Sequence, residues 1–431
     1  MALPPMATLL HVLVVINMLQ QATWSANIYV SNRATKDEDC GTSEEDPCRT
    51  INAALKIEKK GLSQITIIST GSKYQDCPIQ VNKPFAFKGL YGSPVIDCGG
   101  RDAFVFNFDV EKEQPSSIKL DVSNLDLQNS RAGFKFLSKT SVVNLRLENI
   151  TFTNNKVDVT WSDSPLCFLV MTNVHTFGRS GNAIEIEGCN RTTLSLVNTK
   201  IRGKYFKVLS TIKSSILKIS MNGVTFDMSS RATDSSKGTS SLSPVDIVTA
   251  LEKTSITITS SAFLNHFGQR SGMINITGFK KSKKGYASPI NIYFSNVSFV
   301  NNKALRGVGG AASFNLTNKL TKTIKHSVKF QGCSFTGNAA SSGGAVWFSD
   351  WGKKSVLFLD CTFKDNKAQD KVMETGSGGA LFALGGKFAI TKCKFIGNTA
   401  AKSGGTLYLS NRNVTSIRVT DSAFQNAPFL E

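Results

Sequence analysis

Residues that could perform acid–base chemistry are few in this 431-residue chain. Glu185 and Glu187 form the only tight pair of carboxylates that a strand would turn to one outward side. Paired carboxylates can hydrolyse glycosidic bonds, and carboxylates that bind calcium can assist uronate elimination beside a basic residue. No Asp-Asp, Gly-His-Gly or Arg-Ile-Lys sequence accompanies this pair. The favoured interpretation is a solvated strand edge with no catalytic residue, and a polysaccharide lyase or hydrolase is the alternative.

Two other sets of residues could bind a metal or move protons, and their pattern argues against both roles. His175 falls in a column expected to face inward, which indicates an interior histidine. Cys333, Cys361 and Cys393 occupy one inward position of consecutive repeats. Side chains stacked ~4.8 Å apart along a wall do not converge on one ion as tetrahedral ligands do. We therefore expect an interior ladder of thiols, with no metal and no cofactor.

Positive charge offers the clearest indication of a partner. The chain has 50 Lys and Arg against 31 Asp and Glu, a net charge of +19, and residues 101–431 hold all of the excess. The candidate anion-binding residues are Lys280, Lys281, Lys283 and Lys284 in one cluster and Lys200, Arg202, Lys204 and Lys207 in another. Such clusters can bind sulfated or carboxylated glycans or other acidic matrix components, although a basic surface can also serve solubility alone. A nucleic-acid partner is not expected, because basic and aromatic residues are not interleaved.

A repeated strand pattern has to position these residues. A bulky apolar residue, usually Phe, recurs every 24 to 37 residues between Leu127 and Phe424, and in this alignment Phe177 belongs to the column. Short alternating segments separated by Gly, Asn and Ser surround it, without a helical period. The position two residues earlier is mostly small or apolar and should face inward, whereas the position one residue earlier should face outward. The pattern predicts an all-β solenoid whose extra length forms loops.

Asparagine recurs three residues after the bulky column. These residues are Asn155, Asn302, Asn338, Asn366 and Asn398. Asparagine tolerates left-handed backbone geometry and can hydrogen-bond to an asparagine stacked above it. The recurrence predicts a tight turn repeated at the spacing of adjacent strands, ~4.8 Å.

The last repeats carry a second signature. Phe-x-x-Asn precedes Gly-Gly-Ala or Gly-Gly-Thr at Phe299 and Gly309, Phe335 and Gly343, Phe363 and Gly378, and Phe395 and Gly404. This pattern resembles the repeats of the polymorphic outer membrane protein family, a branch of the right-handed parallel β-helix, or pectin-lyase-like, superfamily. The resemblance implies a single right-handed parallel β-helix of about eleven to thirteen coils and an adhesive role, with the repeats clearest in 296–431.

The segment from Cys40 to Leu55 resembles the usual start of that fold. It implies a short amphipathic helix, Ile51 to Lys60, that would cap the open apolar end before the first coil. Cys40 with Cys48, and Cys77 with Cys98, are candidate disulfides of this region, although sequence alone does not fix their connectivity. Cys167 and Cys189 lie about one coil apart and could also bond. Because the chain has nine cysteines, at least one thiol is left over.

Three regions follow from these patterns. Residues 1–25 are expected to be a signal peptide cleaved after Ser25, with an uncleaved anchor as the competing interpretation. Residues 26–100 form the cap and first coils, and 101–431 form the repeats, with truncation or processing expected at Glu431. After the first 25 residues no apolar run approaches the ~18 residues needed for a transmembrane segment.

Secretion is also indicated by potential glycosylation. Asn-X-Ser/Thr sequons occur at Asn149, Asn190, Asn275, Asn296, Asn315 and Asn413. Since bacterial proteins seldom combine such cysteines with sequons, an animal-type secreted protein is the better match. The sequence therefore predicts a secreted structural or adhesive protein of an extracellular matrix, with acidic glycans or other matrix components as partners.

Overall fold

A computed structural model describes residues 26–57, 63–108, 117–137, 142–162, 164–178, 181–209, 216–229, 243–249, 253–269, 272–278, 289–316, 327–349, 355–369 and 376–425. The expected signal peptide and the cluster from Lys280 to Lys284 lie outside these residues.

Strands are the predominant element of the described residues, with one short helix near the start. In chain order the elements are β1 Ala26–Val30, α1 Ile51–Lys56, β2 Ser63–Ile68, β3 Ile79–Val81, β4 Phe85–Leu90, β5 Val95–Asp97, β6 Phe104–Phe106, β7 Ser117–Gln128, β8 Ala132–Phe136, β9 Val142–Thr153, β10 Val157–Ser162, β11 Leu166–Thr172, β12 His175–Phe177, β13 Asn182–Glu187, β14 Arg191–Val197, β15 Lys200–Arg202, β16 Tyr205–Leu209, β17 Ile216–Asn222, β18 Thr225–Asp227, β19 Val245–Val248, β20 Lys253–Thr259, β21 Ala262–Leu264, β22 Phe267–Gly268, β23 Ile274–Thr277, β24 Ile290–Ser295, β25 Ser298–Val300, β26 Lys303–Val308, β27 Ala312–Asn315, β28 Ser327–Gln331, β29 Ser334–Thr336, β30 Ala339–Ser342, β31 Val346–Phe348, β32 Ser355–Leu359, β33 Thr362–Lys364, β34 Lys367–Ala368, β35 Leu381–Thr391, β36 Lys394–Ile396, β37 Thr399–Ala400, β38 Leu407–Thr420 and β39 Ala423–Gln425.

These strands stack in parallel ladders, in which each strand pairs with its counterparts in the coils before and after. One ladder runs through β11, β14, β17, β20, β24, β28 and β32, a second through the three-residue strands from β12 to β39, and a third through β10, β13, β16, β19, β23, β27 and β31. A small ladder of β22, β26, β30, β34 and β37 joins them in the later coils. The fold is a right-handed parallel β-helix, as the sequence predicted.

The interior is one continuous apolar cluster that extends from Ile28 to Phe395. In the short-strand ladder, seven phenylalanines stack face to face with ring centroids 4.6 to 5.2 Å apart. They are Phe226, Phe263, Phe299, Phe335, Phe363, Phe395 and Phe424. Leu127 and Ile201 occupy the same column in earlier coils, as predicted.

The predicted column is wrong by one residue in a single coil. Thr176, rather than Phe177, pairs with Phe152 and Ile201 and is fully buried. His175 is consequently half-buried on the outward side, and the expectation of an interior histidine is wrong. The mismatch arises because this segment places its aromatic ring one position beyond the buried site, and a shift of one residue reverses the face of each side chain.

Asparagines of the later turns form a buried hydrogen-bonded ladder, as predicted. Asn302 donates through its backbone N–H and its side-chain Nδ2 to Asn338 Oδ1, at 3.1 and 3.0 Å. Asn338 donates in the same way to Asn366, and Asn366 to Asn398. The left-handed residue of this turn is not the ladder asparagine but the preceding one, such as Asn301 with a φ of 55°.

The helix α1 covers the start of the apolar interior. It buries Ile51, Ala53 and Ala54, and Thr50 caps it by accepting a hydrogen bond from the Ala53 N–H. The helix ends at Lys56, short of the predicted Lys60, because Ile57 adopts an extended conformation and packs against the core.

All three candidate disulfides are present. Cys40 bonds to Cys48, Cys77 to Cys98, and Cys167 to Cys189. Cys333, Cys361 and Cys393 are free and buried, as the ladder of thiols predicted.

Candidate functional site

The exposed part of the second basic cluster lies on the short-strand ladder. Lys200 and Arg202 are the two outward residues of β15, on either side of the buried Ile201. In the preceding coil His175 lies beside Lys200, and Phe177 lies beside Arg202. The Arg202 guanidinium carbon is 5.8 Å from the centroid of the Phe177 ring, a cation–π contact that orients the charge without neutralising it. These four residues are called the basic face below.

The cations of the basic face are only partly balanced by a carboxylate, since Asp227 lies beside Arg202 in the next coil and interacts with its charge. Neither Lys200 nor Arg202 forms a direct ion pair with any described residue. Partial burial, and then the nearby charges of Lys200 and Arg202, lower the pKa of His175. The imidazole therefore tends to be neutral at neutral pH, and the two long cations carry the charge.

The other two residues of this predicted cluster are engaged elsewhere. Lys207 lies in β16, on another ladder, and pairs with Glu185 at 3.3 Å. Lys204 was predicted to bind anions, and this prediction is wrong. Its side chain is fully buried and ion-paired with Asp158, which is also fully buried. The sequence cluster thus reduces to two exposed cations and one that is largely neutralised.

The two carboxylates of the tight pair lie in different surroundings. Glu185 accepts hydrogen bonds from Asn182 at 3.0 Å and from Lys207 at 3.3 Å. Glu187 is exposed at the end of β13. Glu185 is therefore held by neighbouring side chains, whereas Glu187 faces solvent.

The free cysteines show interior packing. Each thiol donates to the carbonyl oxygen two residues earlier, at 3.3 to 3.4 Å. Hydrogen bonds with the neighbouring thiols raise the pKa of the central Cys361, which keeps it protonated. In the part of the chain that the structure describes, no group of three or more His, Cys, Asp or Glu side chains could hold a metal ion.

Sequence reasoning missed a polar cleft of about 250 Å³ on the outward side of the first coils. Tyr29, Thr66 and Lys88 stand side by side across β1, β2 and β4, and Tyr91 is 69% exposed. Asn27, Gln64, Glu44 and Leu90 complete the lining. The sequence signal for this cleft is the alternation of polar residues along β1 and β2.

The sequons lie in different surroundings. Asn149, Asn190 and Asn296 are exposed, whereas Asn275 and Asn315 are half-buried. Asn275 donates to Asp246 at 2.9 Å and accepts from Ser313 at 3.0 Å. Asn413 lies in β38, and its side chain falls outside the described residues.

Comparison with known proteins identifies one repeat. Residues 360–384 match the Chlamydia polymorphic membrane protein repeat, a stretch that contains Phe363, Asn366 and the Gly378-Gly379-Ala380 sequence. No curated protein matches the chain.

Two solved structures are similar to this chain at low identity. Tailspike protein 3 of bacteriophage CBA120 is 12% identical with a TM-score of 0.44, and the match covers 84% of this chain and 56% of the tailspike. The GH136 lacto-N-biosidase from Eubacterium ramulus is 10% identical with a TM-score of 0.29, covering 97% of this chain and 70% of the enzyme.

Among the described residues, no helix has the length and hydrophobicity needed to span a membrane.

Proposed function

We propose that this protein is a secreted structural or adhesive rod that binds acidic glycans, or similar polyanions of an extracellular matrix, through its basic face. The observation that carries the proposal is the pair of exposed cations at Lys200 and Arg202, neither of which forms a direct ion pair with a described residue. They project from a flat parallel ladder, where an extended chain can lie across successive coils.

The chemistry of the basic face suits sulfate or carboxylate groups. Lysine supplies a mobile point charge, whereas arginine offers a fork of donors that matches a sulfate or carboxylate. Phe177 fixes the Arg202 side chain in place and reduces the entropy that binding would otherwise cost. Each surface contact contributes on the order of 1 kcal/mol, so affinity depends on several contacts and on salt.

The test is retention of the secreted protein on immobilised heparin and chondroitin sulfate in a salt gradient. The double variant K200A/R202A should bind about tenfold more weakly and elute at lower salt. The matched control is K303A/R306A, which removes two other exposed cations and so has the same net charge as K200A/R202A. Equal losses in both variants would show that overall charge governs retention and would overturn the assignment to the basic face.

The same samples distinguish binding from turnover. Each polysaccharide is incubated with the protein, with and without calcium, while the absorbance of unsaturated uronates is recorded. We expect retention without new absorbance. Calcium-dependent uronate release would overturn the proposed structural or adhesive role and would indicate a polysaccharide lyase.

A further inference from the structure

A buried cluster of reactive side chains lies inside the rod, between β10 and β16. Lys204 Nζ lies 2.5 Å from Asp158 Oδ1, and both side chains are fully inaccessible to solvent. The two residues belong to coils separated by a further coil, because β10 pairs with β13 and β13 pairs with β16. Burying an amine and a carboxyl group in this way costs more than an exposed ion pair would return, so the cluster calls for an explanation beyond packing.

A third member of the cluster is a buried amide. Asn155 Nδ2 donates to the same atom, Asp158 Oδ1, at 3.1 Å. Asn155 Oδ1 accepts two hydrogen bonds from Ser130, from the backbone N–H at 2.8 Å and from the hydroxyl at 2.7 Å. The Asp158 carboxyl group therefore bridges the lysine amine and the amide nitrogen of Asn155.

This arrangement contains the parts of an acyl-transfer site. Two donors on the Asn155 carbonyl oxygen can stabilise the negative charge that develops there when a nucleophile adds to Cγ. Lys204 supplies an amine that can act as a nucleophile, and Asp158, which accepts a hydrogen bond from Asn155 Nδ2, can protonate the departing nitrogen. The surroundings exclude water, which would otherwise compete as a nucleophile.

The surroundings of the Asp158 carboxyl group suit it to carry a proton. Burial raises the pKa of Asp158 to about 6, since the loss of solvation outweighs the opposing effects of Lys204 and Asn155. Asp158 Oδ2 has no hydrogen-bond partner among the described residues. A dry interior favours the protonated, uncharged form of such a carboxyl group.

We propose that Lys204 and Asn155 become joined by an intramolecular isopeptide bond, with Asp158 as the proton shuttle. Lys204 first gives a proton to Asp158, and the neutral Nζ attacks Asn155 Cγ. The Nζ–Cγ bond forms, and Asp158 protonates Nδ2. The Cγ–Nδ2 bond then breaks, ammonia leaves, and Asp158 takes the surplus proton from Nζ. Amine and primary amide thus become a secondary amide and ammonia, with no other reactant.

The bond would tie one coil to the next but one. It would close a loop of about 50 residues and restrict the unfolded chain as a disulfide does. Unlike a disulfide, it would resist reduction. The loop also encloses the Cys167–Cys189 disulfide, so the two links would fix the same coils.

The experiment is a tryptic peptide map of the secreted full-length protein after removal of N-glycans. The link predicts that peptide 147–156 is joined to peptide 203–207, with the loss of one ammonia, about 17 Da, and no cleavage after Lys204. Lys207, whose half-buried partner Glu185 has no comparable setting, should remain unlinked and serves as the internal control. The variant D158N retains the shape of the side chain but lacks the acid, and K204R retains the charge but lacks the nucleophile, so both should lack the link.

The wild-type map decides the matter even if a variant fails to fold. Unlinked peptides of unaltered mass would overturn the proposal. A link from Lys204 to Asp158, with loss of water in place of ammonia, would also overturn it, because the acceptor would be wrong. These outcomes do not depend on whether the basic face binds glycans.

Discussion

At the residue scale, the buried asparagine ladder shows how a polar side chain can serve an apolar interior. Asn338 donates to Phe299 O and to Asn366 Oδ1, while its own oxygen accepts two bonds from Asn302. Every polar atom of the side chain has a partner, and the ladder from Asn302 to Asn398 ties four coils together. Buried polar groups stabilise a structure only when all of their donors and acceptors have hydrogen-bond partners.

We expect Asn338→Ala to destabilise the protein by about 2–4 kcal/mol, because it removes the side-chain acceptor of two Asn302 donors and the side-chain donor to Phe299 O and Asn366 Oδ1. The measurement is the midpoint of chemical denaturation, monitored by circular dichroism. Asn301→Gly is the matched control in the preceding turn, since Asn301 is exposed and left-handed and glycine accepts that conformation. A loss from N338A no larger than that from the control would contradict the role of the ladder.

Single-residue patterns were predictive where a column recurs and misleading where a residue stands alone. The phenylalanine, asparagine and thiol columns were evident because several coils repeat the same choice. His175 was misplaced because one coil departs from the spacing, and no neighbouring coil corrects it. Lys204 follows a glycine in a basic stretch, and nothing local indicated that its partner, Asp158, lies two coils earlier.

At the element scale, α1 is too short to be stable alone and depends on its cap and on the coil beneath it. Thr50 accepts from the Ala53 N–H at 3.1 Å, and Asp76 accepts from the Ile51 N–H at 2.6 Å. The sequence predicted the existence and the role of this helix. Its end was not predictable, because the contact of Ile57 with the core stops the helix.

We expect Thr50→Ala to cost about 1 kcal/mol by removing the N-cap acceptor. Its effect should be local, with faster hydrogen exchange in α1 and β1 and little change in the later coils. Lys56→Ala is the control, since Lys56 is exposed in the last turn and alanine favours the helix. Uniformly faster exchange along the whole chain would argue that the cap acts globally.

At the scale of the whole molecule, two kinds of stabilisation occupy different parts of the rod. The three disulfides all lie between Cys40 and Cys189, whereas the longest phenylalanine stack and the asparagine ladder lie between Phe226 and Phe424. Each coil of a solenoid contacts mainly its neighbours, so the two parts can respond independently.

Reduction should therefore act on one part of the molecule. Loss of a disulfide that closes a short loop lowers the free energy of unfolding by about 3 kcal/mol. We therefore expect faster hydrogen exchange in 26–189 with little change in 290–425. The measurement is hydrogen exchange by mass spectrometry with and without reductant. The later coils, whose cysteines are free, serve as the reference that reduction should not affect. Equal loss of protection in both parts would show that the rod unfolds as one cooperative unit.

The fold was predictable at this scale because repetition amplifies a weak signal over many coils. The function was not predictable to the same degree, since a β-helix is a scaffold on which binding and catalysis both occur. The basic face, for instance, depends on which lysines are exposed, and exposure is decided by the register of each coil.

The three-residue strands also affect which insertions, deletions and duplications such a protein can accept during evolution. Left-handed residues bracket many of them, as Asn296 and Asn301 bracket β25, and Asp360 and Asp365 bracket β33. This corner has a fixed length, so inserted or deleted codons are tolerated mainly in the other connections of a coil. A duplicated segment of gene that begins and ends in such a connection would add one whole coil in register. Lineages could then lengthen or shorten the rod by ordinary recombination while each surviving coil kept its interior.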